Sequence, residues 1–220
     1  MKKFILFIAL CGTLDFASAQ SERYTKAMEQ AIVGIDTTQS IDGLTEMSNT
    51  FQRIADAEKT QWLPFYYAAL SQVTKGYMIA VQNGGMGGFA EKTDPIADQA
   101  ESLLNKADEL AKNNSEIYCV RKMIASLRLM ADPMNRYQTQ GPAAVEALEK
   151  AKSLNPANPR VTMLEAQDKY YTPEQYGGSK TEAKVLLEES LKKFDSFKPE
   201  SSIHPHWGKA QVVYLLSQLK

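Results

Sequence analysis

Two stretches of the chain carry one pattern. Ala100, Leu104, Ala107, Leu110, Lys112 and Asn114 are matched, 44 residues further on, by Ala144, Leu148, Ala151, Leu154, Pro156 and Asn158. A partial third copy is Ala183, Leu187 and Ser190. Small residues seven apart lie on one helix face and let a neighbouring helix approach closely, while the leucines fill the space beside them. Pro156 and Asn158 then stop the helix and set a short turn into the next one. Alanine-rich faces also occur in ordinary bundles, but the shared terminator favours a repeat over that reading.

The rest of the sequence agrees with stacked helices. Apolar residues recur at three- and four-residue spacing, and strand signals are scarce. The expected pairs are 22–36 with 41–58, 62–82 with 95–111, 115–131 with 141–153, and 158–171 with 179–195. A last helix over 206–219 is expected to cover the end of the stack, which would otherwise leave an apolar face in water. Pro64 suits the first turn of its helix, where a missing N–H costs little.

The matched segments resemble the second helix and exit turn of tetratricopeptide repeats. The resemblance covers most of residues 20–220, with a poorer match near Met47, Phe51 and Ile54 and a period longer than the family's usual one. The segments Ala57–Pro64 and Tyr171–Gly178 also resemble exported tetratricopeptide proteins of Bacteroidetes. What the resemblance implies is an all-α fold, a right-handed superhelical stack of about four tetratricopeptide-like hairpins with a C-terminal capping helix.

The extra length falls in particular places. Turns between pairs are short (59–61, 112–114 and 154–157), and turns within pairs are long (83–94, 132–140 and 172–178). The three long turns are therefore expected along one edge, where insertions in repeat proteins often mark a binding face.

Residues 1–19 read as a secretory signal. Lys2 and Lys3 precede an apolar run from Phe4 to Leu10, and Ala17-Ser18-Ala19 sets cleavage before Gln20, which leaves 20–220 as one helical domain. The apolar run is too short to span a bilayer, and no later segment offers a transmembrane anchor. Bulky Leu10 argues against lipid attachment at Cys11. Loss of Lys2, Lys3 and Asp15 takes the net charge from −1 to −2, so nucleic acid is a poor partner. Cys119 is then the single cysteine, set in an apolar helical stretch, and its expected state is a buried thiol.

The glycine-rich turn 83–89 lacks the lysine and preceding strand of a phosphate loop, and reads as a linker carrying Met86 and Phe89. Arg136 beside Tyr137 could hold an acidic or planar group. Tyr171 and Tyr176 lie in an aromatic turn suited to contact. A small-ligand surface would instead draw on Tyr66 with the cations Arg121 and Arg128, seven apart on one helix. His204 and His206 lack the further ligands a zinc site needs, so no metal is expected. Asp36-Thr37-Thr38 resembles a short glycan acceptor, a match too brief to weigh. No nucleophile, acid pair or histidine dyad forms a catalytic motif, and no cofactor is implied.

The expectation is therefore a non-catalytic, exported interaction module of the cell envelope, holding a protein or peptide through Met86, Phe89, Arg136, Tyr137, Tyr171 and Tyr176. The alternative is a periplasmic small-ligand-binding solenoid associated with uptake, using Tyr66, Arg121 and Arg128.

Overall fold

The periodic apolar positions become α-helices, and among the described residues there is no strand. The computed structural model describes residues 22–219, so the secretory signal and its cleavage position lie outside the described residues. The helices are α1 (22–32), α2 (Ile41–Ala57), α3 (Trp62–Gln82), α4 (Ala90–Leu110), α5 (Ser115–Ala131), the single turn α6 (Pro133–Arg136), α7 (Gln140–Leu154), α8 (Pro159–Tyr171), α9 (Lys180–Ser196) and α10 (Lys209–Gln218). The hairpins are α1 with α2, α3 with α4, α5 with α7, and α8 with α9. α3 also packs on α2, and α10 closes on α9 through Val212 and Leu215.

The repeated small residues do what their spacing implies. Ala100, Leu104 and Ala107 of α4, and Ala183, Leu187 and Ser190 of α9, are fully buried. Close approach is visible where hydroxyls reach a neighbouring backbone: Ser48 Oγ donates to the Ala68 carbonyl, Ser115 Oγ to Ala151 and Ser190 Oγ to Pro159. Gly76 of α3 serves the same end, because a Cβ there would stand 2.2 Å from Leu127 Cδ2 of α5.

The shared terminator has a second role. Asn114 and Asn158 are N-caps of α5 and α8, and their side chains accept from the amides of Glu116 and Arg160. Such a cap is worth about 1 kcal/mol. Pro159 follows at the first helical position, where no amide is needed.

Two boundaries differ from the sequence reading. α4 begins at Ala90, so the first long turn covers 83–89 rather than 83–94. The carbonyl of Phe89 accepts from the amides of Lys92 and Thr93 and from Thr93 Oγ1, which starts the helix before Pro95. Pro95 then lies inside the helix and costs it one bond in the second turn. α10 begins at Lys209 rather than near residue 206, because Gly208 has a φ of +103°. The first long turn does approach the second: Gly87 N donates to Met130 O in the last turn of α5 at 2.7 Å, and a Cβ at Gly87 would lie 3.8 Å from Pro133 Cδ.

Candidate functional site

The inner side of the stack is occupied by the chain itself. Residues 197–208 run without a helix from α9 to α10, across the first helices of the hairpins. Along this strap, Ser202 Oγ donates to Glu29 Oε1, Tyr67 Oη to the Ile203 carbonyl, Trp207 Nε1 to Tyr66 Oη, and Gly208 N to Asp36 Oδ1. It therefore touches α1, α3 and the turn after α1. Ile203 and Trp207 are buried.

Beneath the strap lies a buried polar centre. Arg160 Nη1 donates to Glu116 Oε1 at 3.1 Å, Asn158 Nδ2 to the same oxygen at 2.9 Å, and Tyr66 Oη to Glu116 Oε2 at 3.3 Å. Arg160 Nε and Nη2 have no hydrogen-bond acceptor. Its guanidinium instead faces the rings of Phe197, Trp207 and Phe194, with centroids 5.0, 5.3 and 5.7 Å away. Burial pushes the Glu116 carboxyl above its ordinary range, against the pull of Arg160, and pushes the Tyr66 phenol and Cys119 thiol well up. These groups bind one another and the strap.

Open space lies on other faces. A cleft of about 1020 Å³ separates α1 from α2. Its walls carry Tyr24, Ala27, Ala31, Met47, Ile54 and Ala57, together with Glu46, Glu58 and the cations Arg23 and Arg53. Neither arginine has an ion-pair partner among the described residues. The Tyr24 hydroxyl is buried with no described partner, and burial raises its pKa. A second cleft of about 780 Å³ lies between α4 and α7 over α5, with Ile124, Ala125 and Ala147 as its floor and Tyr118, Arg121 and Arg128 on its walls. Pockets for cofactor-sized molecules run to about 300–1,000 Å³, so both are large enough.

The residues singled out from the sequence divide sharply. Tyr66 is wholly buried and bonded to Glu116 and Trp207, so it lines no ligand surface. Arg121 and Arg128 do share one cleft. Arg121 is paired with Asp108, however, and Arg128 with Asp98 and Glu101. Phe89 is 1% exposed and belongs to the core. Arg136 is held by both oxygens of Asp94 at 2.7 Å, which depresses the Asp94 carboxyl and leaves the guanidinium fork engaged. Met86, Tyr137, Tyr171 and Tyr176 are exposed, as is Met134 beside the first long turn. His204 contacts Ser201 and Glu200, and His206 contacts the His204 carbonyl.

Sequence reasoning missed Arg23, Tyr24 and Arg53 altogether. Its one signal was the poor repeat match at Met47 and Ile54, side chains that line the cleft while packing half-buried against the core.

The protein is an all-helical hairpin stack with a cleft between α1 and α2; among the described residues no helix is long and apolar enough to cross a membrane. No protein-family model matches the sequence, and none of the curated proteins does. Among solved structures, the HusA haemophore from Porphyromonas gingivalis is similar at 33% sequence identity, over 90% of this chain and 92% of that one, with a TM-score of 0.76. The chain belongs to the family of that haemophore.

Proposed function

We propose that the protein is an exported haem carrier that seats the tetrapyrrole in the cleft between α1 and α2, with no reaction of its own. The observation that carries this reading is the cleft itself. Haem is a flat apolar ring bearing two carboxylates on one edge. The α1–α2 cleft offers apolar walls from Ala27, Ala31, Met47 and Ile54, and is lined by Arg23 and Arg53, neither of which has an ion-pair partner among the described residues. Guanidinium groups suit carboxylates because their paired N–H donors match the two oxygens. The family relationship to a haemophore supports the same cargo, and it favours the uptake alternative over the envelope scaffold expected from the sequence.

Several features favour this cleft over the one above α5. In the second cleft, Arg121 and Arg128 are already neutralised by Asp108, Asp98 and Glu101, so binding a carboxylate there would first break ion pairs. Neither cleft is lined by a histidine or cysteine. In the first, Tyr24, Glu46, Met47 and Glu58 carry atoms of a kind that could ligate iron, the Tyr24 hydroxyl being buried.

The test is titration of the protein lacking residues 1–19 with haemin, followed by the Soret band and by quenching of Trp62 and Trp207 emission. Ile54→Glu, which puts a charge on the apolar wall, is expected to weaken binding by at least about tenfold, the equivalent of 1.4 kcal/mol. Arg23→Ala with Arg53→Ala should weaken it further. Arg121→Ala with Arg128→Ala should leave it near wild type. A wild-type protein that leaves the haemin spectrum unchanged refutes the carrier reading, and loss of binding only in the Arg121 and Arg128 variant moves the seat to the second cleft.

A second reading rests on the exposed apolar side chains Met86, Met134 and Tyr137, carried by two long turns that approach each other at Gly87 and Pro133. An envelope protein docking there would make the chain an interaction module. Affinity capture with wild-type and Met86→Ser, Met134→Ser protein compares the two directly, since a carrier with no such partner recovers the same set with both.

A further inference from the structure

We infer that residues 197–208 act as a brace that preorganises the α1–α2 cleft, so that the strap and the cleft are coupled through α1; this rests on the cleft being the haem seat. The two faces of α1 carry the argument. Ala27, Gln30, Ala31 and Gly34 look into the cleft. On the adjoining face, Met28 and Ile32 enter the core, and Glu29 accepts from Ser202 of the strap at 2.6 Å. Just beyond the helix, Asp36 accepts from Gly208 N at 3.2 Å. The strap therefore holds the C-terminal half of the wall from behind, at one point on the helix and one on its exit turn.

The strap itself is docked at defined points. Trp207 donates to Tyr66 and, with Phe197, covers the Arg160 guanidinium, while the Ile203 carbonyl accepts from Tyr67. Gly208 has little freedom, because it needs a positive φ and a Cβ there would meet Met163 Sδ at 3.0 Å and Phe194 at 3.2 Å. A segment fixed to α3 and α8 on one side and to α1 and its exit turn on the other transmits the position of the stack to the cleft wall. The α1–α2 hairpin lies at the end of the stack, where no further hairpin among the described residues supports it.

Preorganisation lowers the cost of binding without touching the ligand. Coupling of this kind is also reciprocal, so occupancy of the cleft must steady the strap by the same factor that the strap strengthens occupancy. Asp36 and Ser202 are thus positioning residues, remote from the cargo.

The experiment uses the protein from residue 20 onward and haemin as the probe. Asp36→Ala with Ser202→Ala removes both ties to α1, and haemin affinity is expected to fall about fivefold to tenfold, the scale of one or two lost hydrogen bonds. Asp36→Asn keeps the acceptor oxygen and should bind as wild type does, a rescue that a general loss of fold would not show. In the wild-type protein, haemin should also slow amide exchange at Gly208 and Ile203, and this readout decides the matter if the double variant folds poorly. Unchanged affinity in the double variant together with unchanged exchange in the strap overturns the brace while leaving the cleft in place. Wild-type affinity in Ile54→Glu removes the cleft, and the brace with it.

Discussion

Arg160 Nη1 lies 3.1 Å from Glu116 Oε1, and the Arg160 side chain is completely shut off from solvent. The pair joins α8 to α5 under a lid of aromatic rings. Breaking one partner of such a pair strands a buried charge, at a cost of about 3–5 kcal/mol, whereas replacing both by neutral groups is far milder. Arg160→Met alone is therefore expected to destabilise the protein by that amount in urea unfolding. Arg160→Met with Glu116→Gln should recover most of it. The idea is lost if the single and double variants unfold at the same midpoint.

Stability should fall on the alkaline side. Tyr66, Tyr67, Tyr77 and Cys119 all have pKa values raised by burial above the ordinary 10.0 of a phenol or 9.0 of a thiol. The unfolded chain releases these protons first, so each group's contribution is intact below its ordinary value and is lost as pH rises toward its folded value. Asp94 has the opposite sign, being lowered by Arg136, and its contribution disappears as pH drops below the ordinary 3.8. Urea midpoints measured from neutral pH to beyond 10.0 should decline steadily above 9.0. A flat profile across that range would contradict the burial of these hydroxyls.

Gly76 marks the closest approach of α3 to α5. Alanine there gains about 1 kcal/mol in helix propensity. Its methyl would, however, meet the fully buried Leu127 at 2.2 Å. Overpacking of this kind costs about 1–3 kcal/mol, so Gly76→Ala is expected to lower the melting temperature. Adding Leu127→Val, which withdraws the clashing atom, should restore part of the loss. A more stable Gly76→Ala protein would mean that the two helices part easily.

Cys119 is free and buried, with Asn158 Nδ2 3.9 Å from its sulfur and its thiol pKa pushed up by burial. A thiol reagent should label it only at the rate at which the structure opens, and labelling should accelerate in proportion as urea approaches the unfolding midpoint. Fast stoichiometric labelling in native buffer would be the contrary result.

The helices were legible because their cause is local. The seven-residue spacing of Ala100 and Ala107, and of Ala144 and Ala151, fixes which face packs, and it does so whatever lies opposite. The terminators Asn114 and Asn158 were legible as stops, though their second role as caps needed the next helix in view. Phe89 and Tyr66 were misread for the converse reason. An aromatic side chain at a turn or on a helix looks the same in sequence whether it faces water or a neighbour 50 residues away, and Tyr66 is bonded to Glu116 and Trp207.

By itself, the sequence determined the secondary structure, the order of the hairpins and the buried small-residue faces, all consequences of periodicity along one chain. Only the tertiary structure decided where a ligand fits. The strap 197–208 fills the inner side because Trp207 finds Tyr66, 141 residues earlier in the chain. The cleft exists because the groove that Met47 and Ile54 line, half-buried against the core, is bounded by α1 and α2 and covered by no further helix among the described residues. Both depend on which surfaces remain after distant segments have packed, and spacing along the chain does not encode that remainder.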